Sequence, residues 1–122
     1  MLVVEDDAGL RGLYRAVLVG AGYGVVAVED GLDALRRIEV DTPNAIVLDL
    51  ALPRLRGLDV HPEIAAHADT CDIPVVIVTG SDTRHLDPRE FACILKKPIE
   101  PDSLLTAVEN CLRPGLNRAH SP

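Results

Sequence analysis

The sequence predicts an α/β fold: an open, doubly wound parallel sheet with helices on both faces. Three observations carry this. Short β-branched and aliphatic runs alternate along the chain with stretches of helical period. The runs are continuously apolar, as strands buried on both faces require. Five of them, at residues 2–4, 25–28, 45–48, 73–78 and 91–95, suit one sheet in a single domain of 122 residues.

Each element has a local reason. After the first strand, Leu10, Leu13, Tyr14, Val17, Leu18 and Ala21 recur at helical spacing and predict an amphipathic helix. Ala21-Gly22-Tyr23-Gly24 stops it. Beyond the second strand, Asp30 is placed to cap a helix with Leu32, Leu35 and Ile38 inward and Arg36, Arg37 and Glu39 outward. Thr42-Pro43-Asn44 ends that helix. A loop punctuated by Pro53 and Gly57 precedes a third helix expected near residues 58–68. Residues 81–90 are polar and aperiodic. Pro101, with Glu100 as cap, opens a last helix whose apolar side is Leu104, Leu105, Val108 and Leu112. Pro114 closes it, so the expected division is a domain over 1–113 and a tail over 114–122.

Composition narrows the function. Twelve basic against 19 acidic side chains give a net charge of −7, which speaks against nucleic-acid or anionic-membrane binding. The aromatics are Tyr14, Tyr23 and Phe91, too few for a base-stacking platform. Cys71, Cys93 and Cys111 are odd in number and lack metal spacing, so they read as reduced thiols of a cytoplasmic protein. His61, His67, His85 and His120 show no metal spacing either and read as surface residues. No apolar run reaches membrane-spanning length, and none has the form of a signal peptide.

In an open parallel sheet the site lies at the carboxyl ends of the strands. Glu5, Asp6 and Asp7 follow the first strand, Asp49 the third, Thr79 the fourth and Lys97 the fifth. Carboxylates gathered on one rim repel each other unless a cation intervenes, and all-oxygen donors favour a hard ion such as Mg²⁺. A hydroxyl and an ammonium beside them suit a phosphoryl group, with a carboxylate as nucleophile.

Val3-Val4-Glu5-Asp6-Asp7, then Val47-Leu48-Asp49-Leu50-Ala51-Leu52-Pro53 with Gly57, then Pro74-Val75-Val76-Ile77-Val78-Thr79-Gly80, and finally Lys97-Pro98, resemble the receiver domain of two-component response regulators. The resemblance covers roughly residues 1–113. It implies a flavodoxin-like five-stranded sheet in the order 2-1-3-4-5. It implies that Asp49 accepts phosphate from a histidine kinase or phosphotransfer protein. It further implies Mg²⁺ held by Glu5, Asp6, Asp49 and the carbonyl of Ala51, with Thr79 and Lys97 on the phosphoryl oxygens and a commonly cis Lys97-Pro98 bond. Such a domain catalyses only its own phosphorylation and dephosphorylation. It then acts on a downstream protein or output domain, without contacting nucleic acid or membrane itself.

The sequence departs from that family in three places. Ile94 stands where an aromatic is usual, three residues before Lys97. The segment between Thr79 and Lys97 is short, so the fourth helix is expected to be reduced or absent. Arg54 and Arg56 also flank the acceptor loop where acids are common. The main alternative is a degenerate receiver that binds partners without phosphorylation. A phosphatase of the haloacid dehalogenase type would need an acid two residues after the nucleophile, where this chain has Ala51. A flavodoxin-like cofactor site would set a phosphate against Glu5-Asp6-Asp7.

Overall fold

The computed structural model describes residues 1–49, 73–80 and 91–112. Among them run β1 (Leu2–Val4), α1 (Ala8–Gly20), β2 (Val26–Val28), α2 (Gly31–Val40), β3 (Ile46–Leu48), β4 (Val75–Thr79), β5 (Cys93–Lys96) and α3 (Pro101–Leu112). The strands form one parallel sheet in the order β2-β1-β3-β4-β5. The expected helix near 58–68, the reduced helix within 81–90 and the tail after Pro114 lie outside the described residues.

The continuous apolar runs have a plain cause. Successive strand side chains point to opposite faces, and both faces here are covered. Leu2, Val4, Ile46, Leu48, Val75 and Ile77 pack with Ala34 and Ile38 of α2 on one side. Val3, Val47, Val76 and Val78 pack with Tyr14 and Leu18 of α1 and with Leu104, Ala107 and Val108 of α3 on the other. A strand with two buried faces has no position left for a polar side chain until it reaches the rim. The edge strands β2 and β5 are less enclosed.

The helix ends follow the capping rules. Asp7 caps α1, its Oδ1 accepting from the Leu10 N–H at 2.9 Å. Asp30 caps α2 in the same way, accepting from Asp33 N–H at 2.9 Å. Gly22 takes φ +99° just after α1, a conformation costly for any residue with a Cβ. Pro101 is the first residue of α3, and the Glu100 carbonyl accepts from Ser103 and Leu104 N–H.

Two expectations about α1 need correction. Leu13 is 42% exposed, and Ala21 is an exposed C-cap. At about 100° per residue the inward arc centres on Leu10, Tyr14, Val17 and Leu18. Leu13 falls on its flank, facing away from the sheet. On α2 the deepest contact comes from Ala34, fully buried beside Ile38, while Leu32 and Leu35 are half-buried.

Candidate functional site

The backbone ladder continues past the strands and sets the rim residues side by side. Glu5 N–H donates to the Val28 carbonyl at 3.1 Å, Asp49 N–H to the Val4 carbonyl at 3.0 Å, and Lys97 N–H to the Thr79 carbonyl at 2.8 Å. Glu5, Asp49, Thr79 and Lys97 therefore emerge from β1, β3, β4 and β5 on one edge of the sheet. Glu5 is 1% exposed, Asp49 4% and Thr79 0%. Asp6 is exposed at the mouth. Ala51 lies outside the described residues.

Lys97 ties the cluster together. Its Nζ donates to Glu5 Oε1 at 2.5 Å and to Asp49 Oδ2 at 3.0 Å. Both acids sit inside the protein, and only 20% of the lysine side chain reaches solvent. Attraction in so dry a place is far stronger than on a surface, and so is the penalty for an unmatched charge. The second oxygen of Glu5, Oε2, accepts from the Asp7 N–H at 3.2 Å. The peptide bond from Lys97 to Pro98 is cis, as the resemblance implied.

Burial pushes the Glu5 carboxyl up from an ordinary 4.5 to about 7, and the adjoining Asp49 adds to the rise. Lys97 and the Asp7 N–H oppose it without cancelling it. Burial disfavours the Lys97 ammonium, but its pairs with Glu5 and Asp49 win, and its pKa lies above the ordinary 10.5. Between 4.5 and about 7 the folded chain thus holds a proton on Glu5 that the unfolded chain has released. The resulting stabilisation is complete below 4.5 and is lost as pH rises through about 7. In chelator, urea denaturation should show the wild type losing on the order of 2 kcal/mol more than Glu5→Gln between about pH 5 and about pH 8. Equal losses would contradict this.

One carboxylate oxygen from each of Glu5, Asp6 and Asp49 lies within 4.8 Å of the other two. Ligands about 2.1 Å from an octahedral Mg²⁺ stand roughly 3–4.2 Å apart, so small side-chain movements would bring this trio into place. The donors are hard oxygens carrying negative charge, the set such an ion prefers. A second trio, Glu29, Asp30 and Asp33, is similarly close, but Asp30 and the Asp33 backbone there serve to cap α2.

A family model, the response regulator receiver domain, matches residues 1–109. This chain is a member of that receiver-domain family. Response regulator MprA of Mycobacterium avium is 40% identical over 83 residues, which are 68% of this chain and 36% of that protein. MprA of Mycobacterium tuberculosis matches at the same identity over 35% of its length. The receiver domain thus spans about a third of the curated relatives it matches. Among solved structures it resembles the signal receiver domain of a Vibrio parahaemolyticus protein assigned as a Luxo repressor. That likeness has a TM-score of 0.81 at 34% identity, over 97% of this chain and 89% of that one. Response regulator TrrA of Thermotoga maritima, solved in complex with Mg(2+)-BeF, gives a TM-score of 0.80 at 26% identity, over 91% and 96%.

Sequence reasoning missed two neighbours of this receiver-domain site. Tyr14 is a core residue whose phenol is pushed up by burial, and it also feels the charges of Lys97, Glu5, Asp49 and Asp7. Arg11 donates through Nη1 to the carbonyls of Glu5 and Asp6. The sequence signal for Arg11 was its place four residues after the Asp7 cap. Burial raises the thiol pKa of Cys93 and takes that of Cys111 to about 11, so both stay protonated and unreactive. Cys71, the four histidines, Arg54 and Arg56 lie outside the described residues. Among the described residues no helix is long and apolar enough to cross a membrane.

Proposed function

We propose that this receiver domain accepts a phosphoryl group on Asp49 from the phosphohistidine of a histidine kinase or phosphotransfer protein. The observation that carries the reading is the Lys97 ammonium bound to buried Glu5 and Asp49, which joins three distant stretches of chain at one rim. A carboxylate oxygen of Asp49 attacks phosphorus as the donor's N–P bond breaks, and the histidine nitrogen leaves with the electron pair. The product is an aspartyl phosphate. Lys97 moves from the Asp49 carboxylate to a phosphoryl oxygen, and the Thr79 hydroxyl bonds another. Glu5, Asp6, Asp49 and the Ala51 carbonyl would hold Mg²⁺, which supplies positive charge to offset the phosphoryl oxygens. The presence of Mg(2+)-BeF in the TrrA structure supports that choice of ion.

On this reading the domain turns over no external substrate and changes only its own phosphorylation state. Closure of Thr79 and Lys97 on the phosphoryl oxygens favours one arrangement of the rim over another, and a downstream protein or output domain responds. Residues 1–113 are read as the receiver domain and 114–122 as its tail. A cytoplasmic location suits the reading of the cysteines as reduced thiols. Incubated with Mg²⁺ and acetyl phosphate, the protein should gain one phosphoryl group by intact-mass spectrometry, and chelation should prevent the gain. No gain under conditions that label a control receiver domain would instead support a phosphorylation-independent interaction module.

A further inference from the structure

We infer that Arg11 is a positioning residue that fixes the metal-holding loop after β1; the inference rests on the function proposed above. Arg11 belongs to the first turn of α1, and its own N–H donates to the Asp7 carbonyl at 2.8 Å. Its guanidinium turns back over the loop. Nη1 donates to the Glu5 carbonyl at 3.0 Å and to the Asp6 carbonyl at 3.3 Å. One side chain thereby sets the direction of two successive peptide planes.

The consequence falls mainly on Asp6. The Glu5 side chain is buried and held through both oxygens, by Lys97 and by the Asp7 N–H. Asp6 is exposed, so packing does not aim its carboxylate. Its Cα–Cβ direction follows from the peptide planes on either side, and Arg11 bonds the carbonyl of each. If those planes rotate, the Asp6 carboxylate leaves the cluster it forms with Glu5 and Asp49.

Helix stability does not explain a cation here. The first turn of a helix favours acids, and a positive side chain there opposes the dipole. Charge balance at the acidic rim gives the opposite prediction from positioning. An arginine acting only as a nearby positive charge would repel Mg²⁺, so its removal would tighten metal binding. An arginine acting through the loop would hold the ligands in place, and its removal would weaken binding. Loss of a group that orients metal ligands typically costs 10-fold or more in affinity.

The test is a Mg²⁺ titration followed by the ¹H–¹⁵N shifts of the Glu5, Asp6 and Asp49 amides in wild type and Arg11→Ala. The Mg²⁺ dissociation constant of Arg11→Ala should rise roughly tenfold. An unchanged or lower constant overturns the inference. If Arg11→Ala does not fold, Arg11→Met, which keeps the apolar stem and a good helix former but has neither charge nor donor, decides by the same sign: weaker supports, equal or tighter overturns. Wild type without Mg²⁺-dependent shifts at these amides overturns both this inference and the metal site. Wild type that binds Mg²⁺ but takes no phosphoryl group from acetyl phosphate removes the proposed function, while the variant comparison still decides the role of Arg11.

Discussion

Asp49→Asn is expected to reduce phosphoryl uptake from acetyl phosphate to background while leaving the protein folded. On the proposed function the carboxylate supplies the attacking oxygen, and a neutral amide of the same shape is a far weaker nucleophile. Glu5 is a poor substitute, because both of its oxygens are engaged, Oε1 by Lys97 and Oε2 by the Asp7 N–H, and burial favours its protonated form. The substitution also removes a negative charge from beside Glu5, so the Glu5 pKa should fall somewhat from about 7, while burial, the larger cause of the rise, remains. The excess loss of stability with rising pH should shrink with it. Intact-mass spectrometry checks the first effect and urea denaturation at several pH values the second. Labelling of Asp49→Asn at the wild-type level would mean that another residue is the acceptor.

Lys97→Met should cost on the order of 3 kcal/mol at about pH 8 in chelator, because it leaves two buried carboxylates without their cation. Methionine keeps much of the length and volume of the lysine stem, so the loss reports charge more than packing. The loss should diminish toward about pH 5, where Glu5 takes up a proton in the folded state. Added Mg²⁺ should restore part of the stability, since an ion that binds only the folded chain shifts the equilibrium toward it. Urea denaturation across pH, with and without Mg²⁺, provides the measurement. A loss below about 0.5 kcal/mol would place the pair among ordinary solvated ion pairs.

Much of this fold was legible because the central strands β1, β3 and β4 are buried on both faces, which leaves an uninterrupted apolar run that ends abruptly at a polar residue. Val3-Val4 before Glu5, Val47-Leu48 before Asp49 and Val78 before Thr79 show this directly. The polar residue that ends such a run marks the rim, so Glu5, Asp49, Thr79 and Lys97 could be named together from the order of the chain. Helix faces were read less well. Leu13 is as apolar as Leu10 and lies at helical spacing, and only the angle of α1 against the sheet shows that it faces solvent. Ala34 was overlooked because a small side chain gives little signal by itself, yet its size lets α2 approach the sheet closely. Arg11 was passed over, since its spacing from the Asp7 cap is a weak signal and backbone carbonyls as partners add nothing to a residue pattern.

On the proposed function, Asp49 is the reactive carboxyl in a cluster of acids bridged by Lys97. The most direct measurement traps the phosphorylated protein with borohydride, which reduces a carboxyl phosphate to an alcohol, and locates the altered residue by peptide mass mapping. Reduction is expected at position 49, dependent on both Mg²⁺ and the phosphodonor. Reduction at Asp6 or another acid, or a phosphoryl group carried on a hydroxyl or imidazole instead, would contradict it.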